Sequence, residues 1–265
     1  MNRSHPGHSD DKPMIRPMPP VEQGAPSPGH RVRVTPPEWM GMDVHHTLYL
    51  PPDWQGGRKF PVIVEYPGND SPPVCTGKVE DCKLGYYASG GRNFIVMALP
   101  FVNVSQGRNQ LTWWGDVDAT VWYCRENVRH VCEEYGGDST RIFIIGFSRG
   151  AIACGYIGLH DDAIASLWRG FIAYAHFDGG QFTPQDAESR LARIKGRPVM
   201  ILYGEQDAGG KAGSLNGARI LQQLGQTPEV LAIPNTGHSD DWIATPSSER
   251  TKLRAWIDKL AEVRA

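Results

Sequence analysis

Apolar residues fall along this chain in two rhythms. Short continuous runs, rich in β-branched and aromatic residues and closed by Pro or Gly, alternate with stretches whose apolar positions recur at steps of three and four. The first rhythm predicts strands buried on both faces, and the second predicts the amphipathic helices that cover them. Residues 60–66 (Phe-Pro-Val-Ile-Val-Glu-Tyr) and 93–99 (Asn-Phe-Ile-Val-Met-Ala-Leu) are runs of the first kind, as are 142–145, 170–175, 198–203 and 229–233. Two earlier strands are expected at 31–35, which alternates as an edge strand does, and at 46–50, ended by Pro51-Pro52. Helical spacing links Val117, Val121, Cys124, Val128, Val131, Cys132 and Tyr135, with Gly136-Gly137 as a C-terminal stop. Leu215, Ile220, Leu221 and Leu224 mark a second helix stopped by Gly225. A last one, expected to start at Thr245-Pro246, buries Leu253, Trp256, Ile257 and Leu260.

Strands and helices alternate across residues 31–265 with no Pro/Ser linker and no repeat. This predicts a single domain of the α/β class: a doubly wound, mostly parallel eight-stranded sheet with helices on both faces. The first 30 residues are rich in Pro, His, Ser, Gly and charge and carry no apolar h-region, so a disordered lead-in is expected there. No signal segment is visible. The expected compartment is left open: cytoplasmic by default, secreted if a signal was trimmed.

Composition narrows the function. Of 265 residues, 40% are hydrophobic and 9% aromatic, enough for a substantial core. A net charge of −2 offers no electrostatic footprint for nucleic acid or an anionic membrane, and no apolar run approaches the roughly 18 residues of a spanning helix. A soluble protein with a small-molecule partner is expected, its oligomeric state left open. Five cysteines leave the redox setting open as well. Cys124 and Cys132, eight residues apart on one helix, would be about 12 Å apart and cannot pair. Cys75 and Cys82 lie in a Pro/Gly/Asp loop and could close a small disulfide. No Cys/His spacing resembles a zinc site, so neither metal nor cofactor is expected.

The segment around Ser148 carries the chemistry. Residues 140–159 read as a β-rich run, then Gly146-Phe147-Ser148-Arg149-Gly150, then a helix of small residues. Gly-x-Ser-x-Gly between a strand and a helix describes a turn so tight that side chains at the two glycines would collide with neighbouring backbone. It lifts the serine hydroxyl above the strand's carboxyl end, at a helix N-terminus where N–H groups can meet a developing oxyanion. A serine is a poor nucleophile without a base, and the base needs a carboxylate to hold its tautomer. His238 follows the last predicted strand and Asp207 the one before it, in the order Ser, Asp, His. Glu205 or Asp178 could replace Asp207, and His238 could be a turn residue. The expected oxyanion donors are the backbone N–H groups of Arg149 and of Asn69, beside Gly68.

The segments around Ser148, Leu202-Tyr-Gly-Glu-Gln-Asp207 and Asn235-Thr-Gly-His238 resemble the α/β-hydrolase superfamily. They are similar in particular to its polyhydroxybutyrate-depolymerase-like branch, which includes feruloyl and acetylxylan esterases. The resemblance covers roughly residues 40–262 and implies a catalytic triad of Ser148, Asp207 and His238. It implies nothing firm about substrate, and Pro67-Gly68 stands where many relatives carry His-Gly. Little sequence lies between the elbow helix and Asp207 to build a lipase-sized lid.

Trp113, Trp114 and Trp242 are candidates for stacking on a sugar or phenolic ring, with His176 as a cleft wall; core packing is the alternative for the tryptophans. The Arg149 side chain could pair with a substrate carboxylate, reinforce the oxyanion as a neighbouring arginine does in glucuronoyl esterases, or join a structural ion pair. The expected function is a serine carboxylic-ester hydrolase working through an acyl-enzyme on a small, carbohydrate-linked or phenolic ester. The alternatives are a serine peptidase of the prolyl-oligopeptidase type and a catalytically silent α/β-hydrolase used as a binding module.

Overall fold

A computed structural model describes residues 17–262. Among them, nine strands form one sheet: β1 (Val21–Glu22), β2 (Arg31–Val34), β3 (His46–Tyr49), β4 (Phe60–Tyr66), β5 (Ile95–Ala98), β6 (Gly137–Phe147), β7 (Trp168–Tyr174), β8 (Val199–Gly204) and β9 (Glu229–Ile233). Their order is β1-β2-β3-β5-β4-β6-β7-β8-β9. From β5 to β9 every neighbouring pair is parallel, and β3 is antiparallel to both of its neighbours. The eight expected strands are all present. The ninth, β1, pairs with β2 inside the expected lead-in, so from Pro17 onward that segment is not structureless; residues 1–16 lie outside the described residues.

Among the described residues seven α-helices flank the sheet: α1 (Leu84–Ser89), α2 (Val117–Glu134), α3 (Arg149–Tyr156), α4 (Asp162–Ala165), α5 (Ala187–Ala192), α6 (Ala208–Gln223) and α7 (Ser248–Ala261). Strand residues alternate between the two faces, as the pleat requires. On β6, Ile142 and Ile144 pack with α2 to α6, whereas Phe143, Ile145 and Phe147 pack with α1 and α7. Continuous apolar runs are thus buried twice over. The last helix starts at Ser248, not at Thr245-Pro246, because the Ser247 side chain accepts the Arg250 N–H and caps it there. α6 begins well before Leu215, at Ala208.

Two short ribbons, Asp70–Ser71 with Cys75–Thr76 and Phe101–Asn103 with Arg108–Gln110, thicken the sheet's carboxyl edge. The Asp70 N–H donates to Leu111 O at 2.9 Å and joins them. Cys75 and Cys82, which could have paired, are both free thiols.

Glu65, near the end of β4, is the buried exception in an apolar strand. Its carboxyl accepts the N–H groups of Lys83, Leu84 and Gly85 at 2.8–3.1 Å and so seats the N-terminus of α1 beneath the loop that follows β4. Burial nonetheless raises its pKa to about 7. The folded state therefore holds this proton more tightly than the unfolded chain, and the associated stability is lost as pH rises through 7. Chemical denaturation of wild type and Glu65→Gln should show the wild type's relative stability falling by about 2 kcal/mol between pH 5 and pH 8. A pH-independent difference would show that the burial of this carboxyl is not what sets its protonation.

Candidate active site

Parallel strands deliver their following loops to one edge, and six of those loops meet here, after β4 to β9. The β6–α3 turn is shaped by exclusion. A Cβ on Gly146 would overlap the Gly150 carbonyl, and one on Gly150 would overlap Tyr66 O on β4. The helix can start this close to the sheet only because both positions lack side chains. Ser148 takes up the turn with φ 55° and ψ −116°, a conformation costly for a residue with a Cβ. Its N–H donates to Tyr174 O at 2.9 Å, which holds the strained residue on β7.

The partners arrive from the next two strands. Asp207 caps α6, accepting the Gly210 N–H on Oδ1 at 2.9 Å. Its Oδ2 lies 2.6 Å from His238 Nδ1, and His238 Nε2 lies 3.0 Å from Ser148 Oγ. A carboxylate only accepts, so the imidazole carries its proton on Nδ1 and leaves Nε2 to accept from the hydroxyl. The Asp207 and His238 loops are laced together by Gln206 N–H to Thr236 O at 2.9 Å and Glu205 N–H to Ile233 O at 3.0 Å. The Phe147 ring, 4.8 Å from that of His238, supports the imidazole. The alternative acids are elsewhere. Glu205 is exposed, and Asp178 is buried among the Gly180 and Phe182 N–H groups, Thr183 and Arg190.

His176 stands beside the line, 6.1 Å ring to ring from His238. Burial, helped by His238, lowers its pKa to about 4, so it is neutral near pH 7, and its Nδ1 has no hydrogen-bond partner among the described residues. A second charge next to the imidazole is thereby avoided.

The tryptophans separate into two kinds. Trp114 packs against Phe101 and Tyr156, with centroids 5.7 and 4.8 Å away, and Trp242 packs edge-on against Tyr174 at 5.6 Å. Both are half-buried and pack against the core, the alternative expected for the tryptophans. Trp113 is different. Its indole is 49% exposed, its φ is 50°, and its N–H donates to Asn69 Oδ1 at 2.7 Å. The Arg149 side chain turns inward. It is 1% exposed and donates to the backbone oxygens of Gly68 and Trp113, so it meets neither a substrate carboxylate nor an ion-pair partner. The Arg149 and Asn69 backbone N–H groups, the expected oxyanion donors, have no acceptor among the described residues. Sequence reasoning missed Phe147 and Glu65, one hidden in the motif's variable position and the other in a strand that reads as apolar.

No family model matches the sequence, and no curated protein does either. Solved structures do. A candidate dipeptidyl aminopeptidase IV from Bacteroides ovatus superimposes with a TM-score of 0.61 at 14% identity, covering 87% of this chain and 35% of its own. A thermostable esterase gives 0.60 at 18%, covering 86% and 62%. The feruloyl esterase module of Clostridium thermocellum, complexed with sinapinate, gives 0.61 at 14%, covering 88% and 89%. The chain thus spans about a third of the first of these and under two thirds of the second. At such identities the agreement is one of fold, and the fold is that of the α/β-hydrolases.

The turn geometry makes one demand that can be checked directly. Gly150→Ala forces a methyl group onto Tyr66 O and is expected to cost about 1–3 kcal/mol of stability, as overpacking does, seen as a lowered thermal midpoint. A variant as stable as wild type would mean that β4 and α3 are not in close contact.

Proposed function

On this α/β-hydrolase frame, we propose a serine hydrolase that cleaves carboxylic esters through an acyl-enzyme, with Ser148 as nucleophile, His238 as general base and Asp207 as its orienting acid. The observation that carries it is the unbroken hydrogen-bonded line from Asp207 through His238 to Ser148, ending on a strained serine. In the first half-reaction His238 Nε2 takes the Ser148 proton as Oγ attacks the ester carbonyl, and the carbonyl electrons become an oxyanion. The N–H groups of Arg149 and Asn69 stabilise that charge. The tetrahedral species then collapses. The C–O bond to the alcohol breaks, His238 returns the proton to the leaving oxygen, and the acyl group stays on Ser148. Water repeats the sequence, deprotonated by His238, and releases the acid. Asp207 stays ionised and stabilises the imidazolium formed at each step.

For the substrate, the exposed Trp113 indole supports a ring-bearing ester, carbohydrate-linked or phenolic. Its backbone is bonded to Asn69 and Arg149, both neighbours of the proposed oxyanion site, and this tie supports a place for its ring beside the reacting centre. The feruloyl esterase module has a comparable length and fold, and the chemistry fits a phenolic acid or its sugar conjugate. A peptidase is the second reading, favoured by the fold shared with the Bacteroides ovatus structure, of which this chain matches only 35%.

Hydrolysis of p-nitrophenyl butyrate by wild type against Ser148→Ala and Asp207→Asn should fall at least about 10³-fold in each variant. Equal rates would remove Ser148 from the mechanism, and activity confined to aminoacyl amides would favour the peptidase. Trp113→Ala should raise KM for methyl ferulate about tenfold, the equivalent of one aromatic contact, and leave vinyl acetate unaffected. Equal effects on both esters would remove the indole as a ring platform.

A further inference from the structure

The Arg149 side chain is not explained by the three-residue line. Its guanidinium is buried, and no carboxylate lies within 4 Å of it among the described residues. Nη2 donates to Gly68 O at 2.8 Å, Nη1 donates to Trp113 O at 2.7 Å and more weakly to Gln110 O at 3.5 Å, and Nε has no partner. The Phe101 ring covers one face, with Cζ 4.1 Å from its centroid. Burial lowers its pKa to about 9. A cation held without a counter-charge is expensive to keep, and a neutral donor could tie two carbonyls. The charge itself therefore needs a use.

Gly68 O supplies one. In a trans peptide the carbonyl and the next N–H point in opposite directions within one plane, so fixing Gly68 O fixes where the Asn69 N–H points. Gly68 cannot be steadied by a side chain of its own, since a Cβ there would overlap Cys75 Sγ. We propose that Arg149 is a positioning residue of the oxyanion hole: its guanidinium, seated on Gly68 O, orients and polarises the Gly68–Asn69 peptide whose N–H stabilises the tetrahedral oxyanion. A cation on the oxygen draws electron density across the amide and makes its N–H a stronger donor, as hydrogen bonds in a chain polarise one another. The arrangement closes on itself. Asn69 Oδ1 accepts the Trp113 N–H, and Trp113 O accepts from Arg149, so three hydrogen bonds join Gly68-Asn69, Trp113 and Arg149 into one unit. One residue thus supplies both donors of the hole, its own N–H directly and that of Asn69 through the peptide.

This inference rests on the esterase reading, and its test separates the two. Arg149→Lys keeps a positive charge but loses the planar fork that spans both carbonyls. On p-nitrophenyl butyrate it should lose on the order of 10²-fold in kcat with KM nearly unchanged. Inhibition by a trifluoromethyl ketone, whose hemiketal oxyanion occupies the same hole, should weaken by the same factor. Asn69→Pro deletes the N–H and leaves the guanidinium in place. It should lose a similar factor, and the double variant should lose little more. A kcat and ketone affinity at wild-type level in either single variant, with Ser148→Ala inactive, overturns the proposal and leaves the esterase reading standing. The same holds if Arg149→Lys changes KM alone. If Arg149→Lys does not fold, Asn69→Pro decides by the same two measurements. Wild-type activity in Ser148→Ala takes the esterase reading away, and this proposal with it.

Discussion

The approach of the elbow helix to the sheet is the constraint on which the rest depends. α3 begins so close to β4 that the carbonyls of Tyr66 and Gly150 occupy the space where side chains would stand on Gly150 and Gly146. Nothing larger than hydrogen fits at either position, so the turn between them must be tight. A tight turn leaves Ser148 the left-handed φ it has. That strain is maintained from outside by the Ser148 N–H bond to Tyr174 O and by strands whose residues are almost all buried. A serine in an ordinary loop would have shed the strain by rotating away, and its hydroxyl would no longer face the histidine.

The polar groups of the site are fixed by the same economy. Asp207 serves twice, as helix cap through Oδ1 and as histidine partner through Oδ2, so its carboxylate cannot turn without unseating α6. His176 and His238 share a neighbourhood, and the burial that keeps His176 neutral spares His238 a repulsive neighbour when it takes up a proton. Lys83, at the N-cap of α1, reaches Asp240 at 3.0 Å and Asp241 at 2.5 Å and ties the stretch after His238 to the start of that helix. The loops that carry Asp207 and His238 are thus each anchored at more than one point.

What could be read from the sequence follows from where the information lies. Every parallel strand was legible: burial on both faces leaves an uninterrupted apolar run in the inner ones, and the partly exposed edge strand β9 still carries Val-Leu-Ala-Ile. So were Ser148, Asp207 and His238, because each follows such a run directly. The first half of α6 was not legible. Gly209, Gly210, Gly213 and Gly217 give it poor helical propensity, yet Gly213 abuts His176 and Gly217 abuts Phe177, so small residues are what close packing needs there. β1 has only two residues and exists through its pairing with β2, which no local pattern reveals. The tryptophans stayed ambiguous, because an indole in a loop looks the same in sequence whether it faces a ligand or packs on the core, as Trp114 and Trp242 do.

Arg149 shows the same limit from the other direction. In sequence Arg149 follows Ser148 and could reach outward to a ligand or inward to a partner, and the fold turns it inward. The turn that strains Ser148 starts α3 directly afterwards, so the first helical residue points back into the space behind the loop that follows β4. A guanidinium there finds carbonyls from two loops, Gly68 O and Trp113 O, and an aromatic face beneath, but no carboxylate. Carbonyl oxygens cannot neutralise it, so its field acts on whatever polar groups lie nearest. Those groups are the peptides around Asn69 and Trp113. A residue chosen only for stability would bring its own counter-ion or be apolar, and this one is neither.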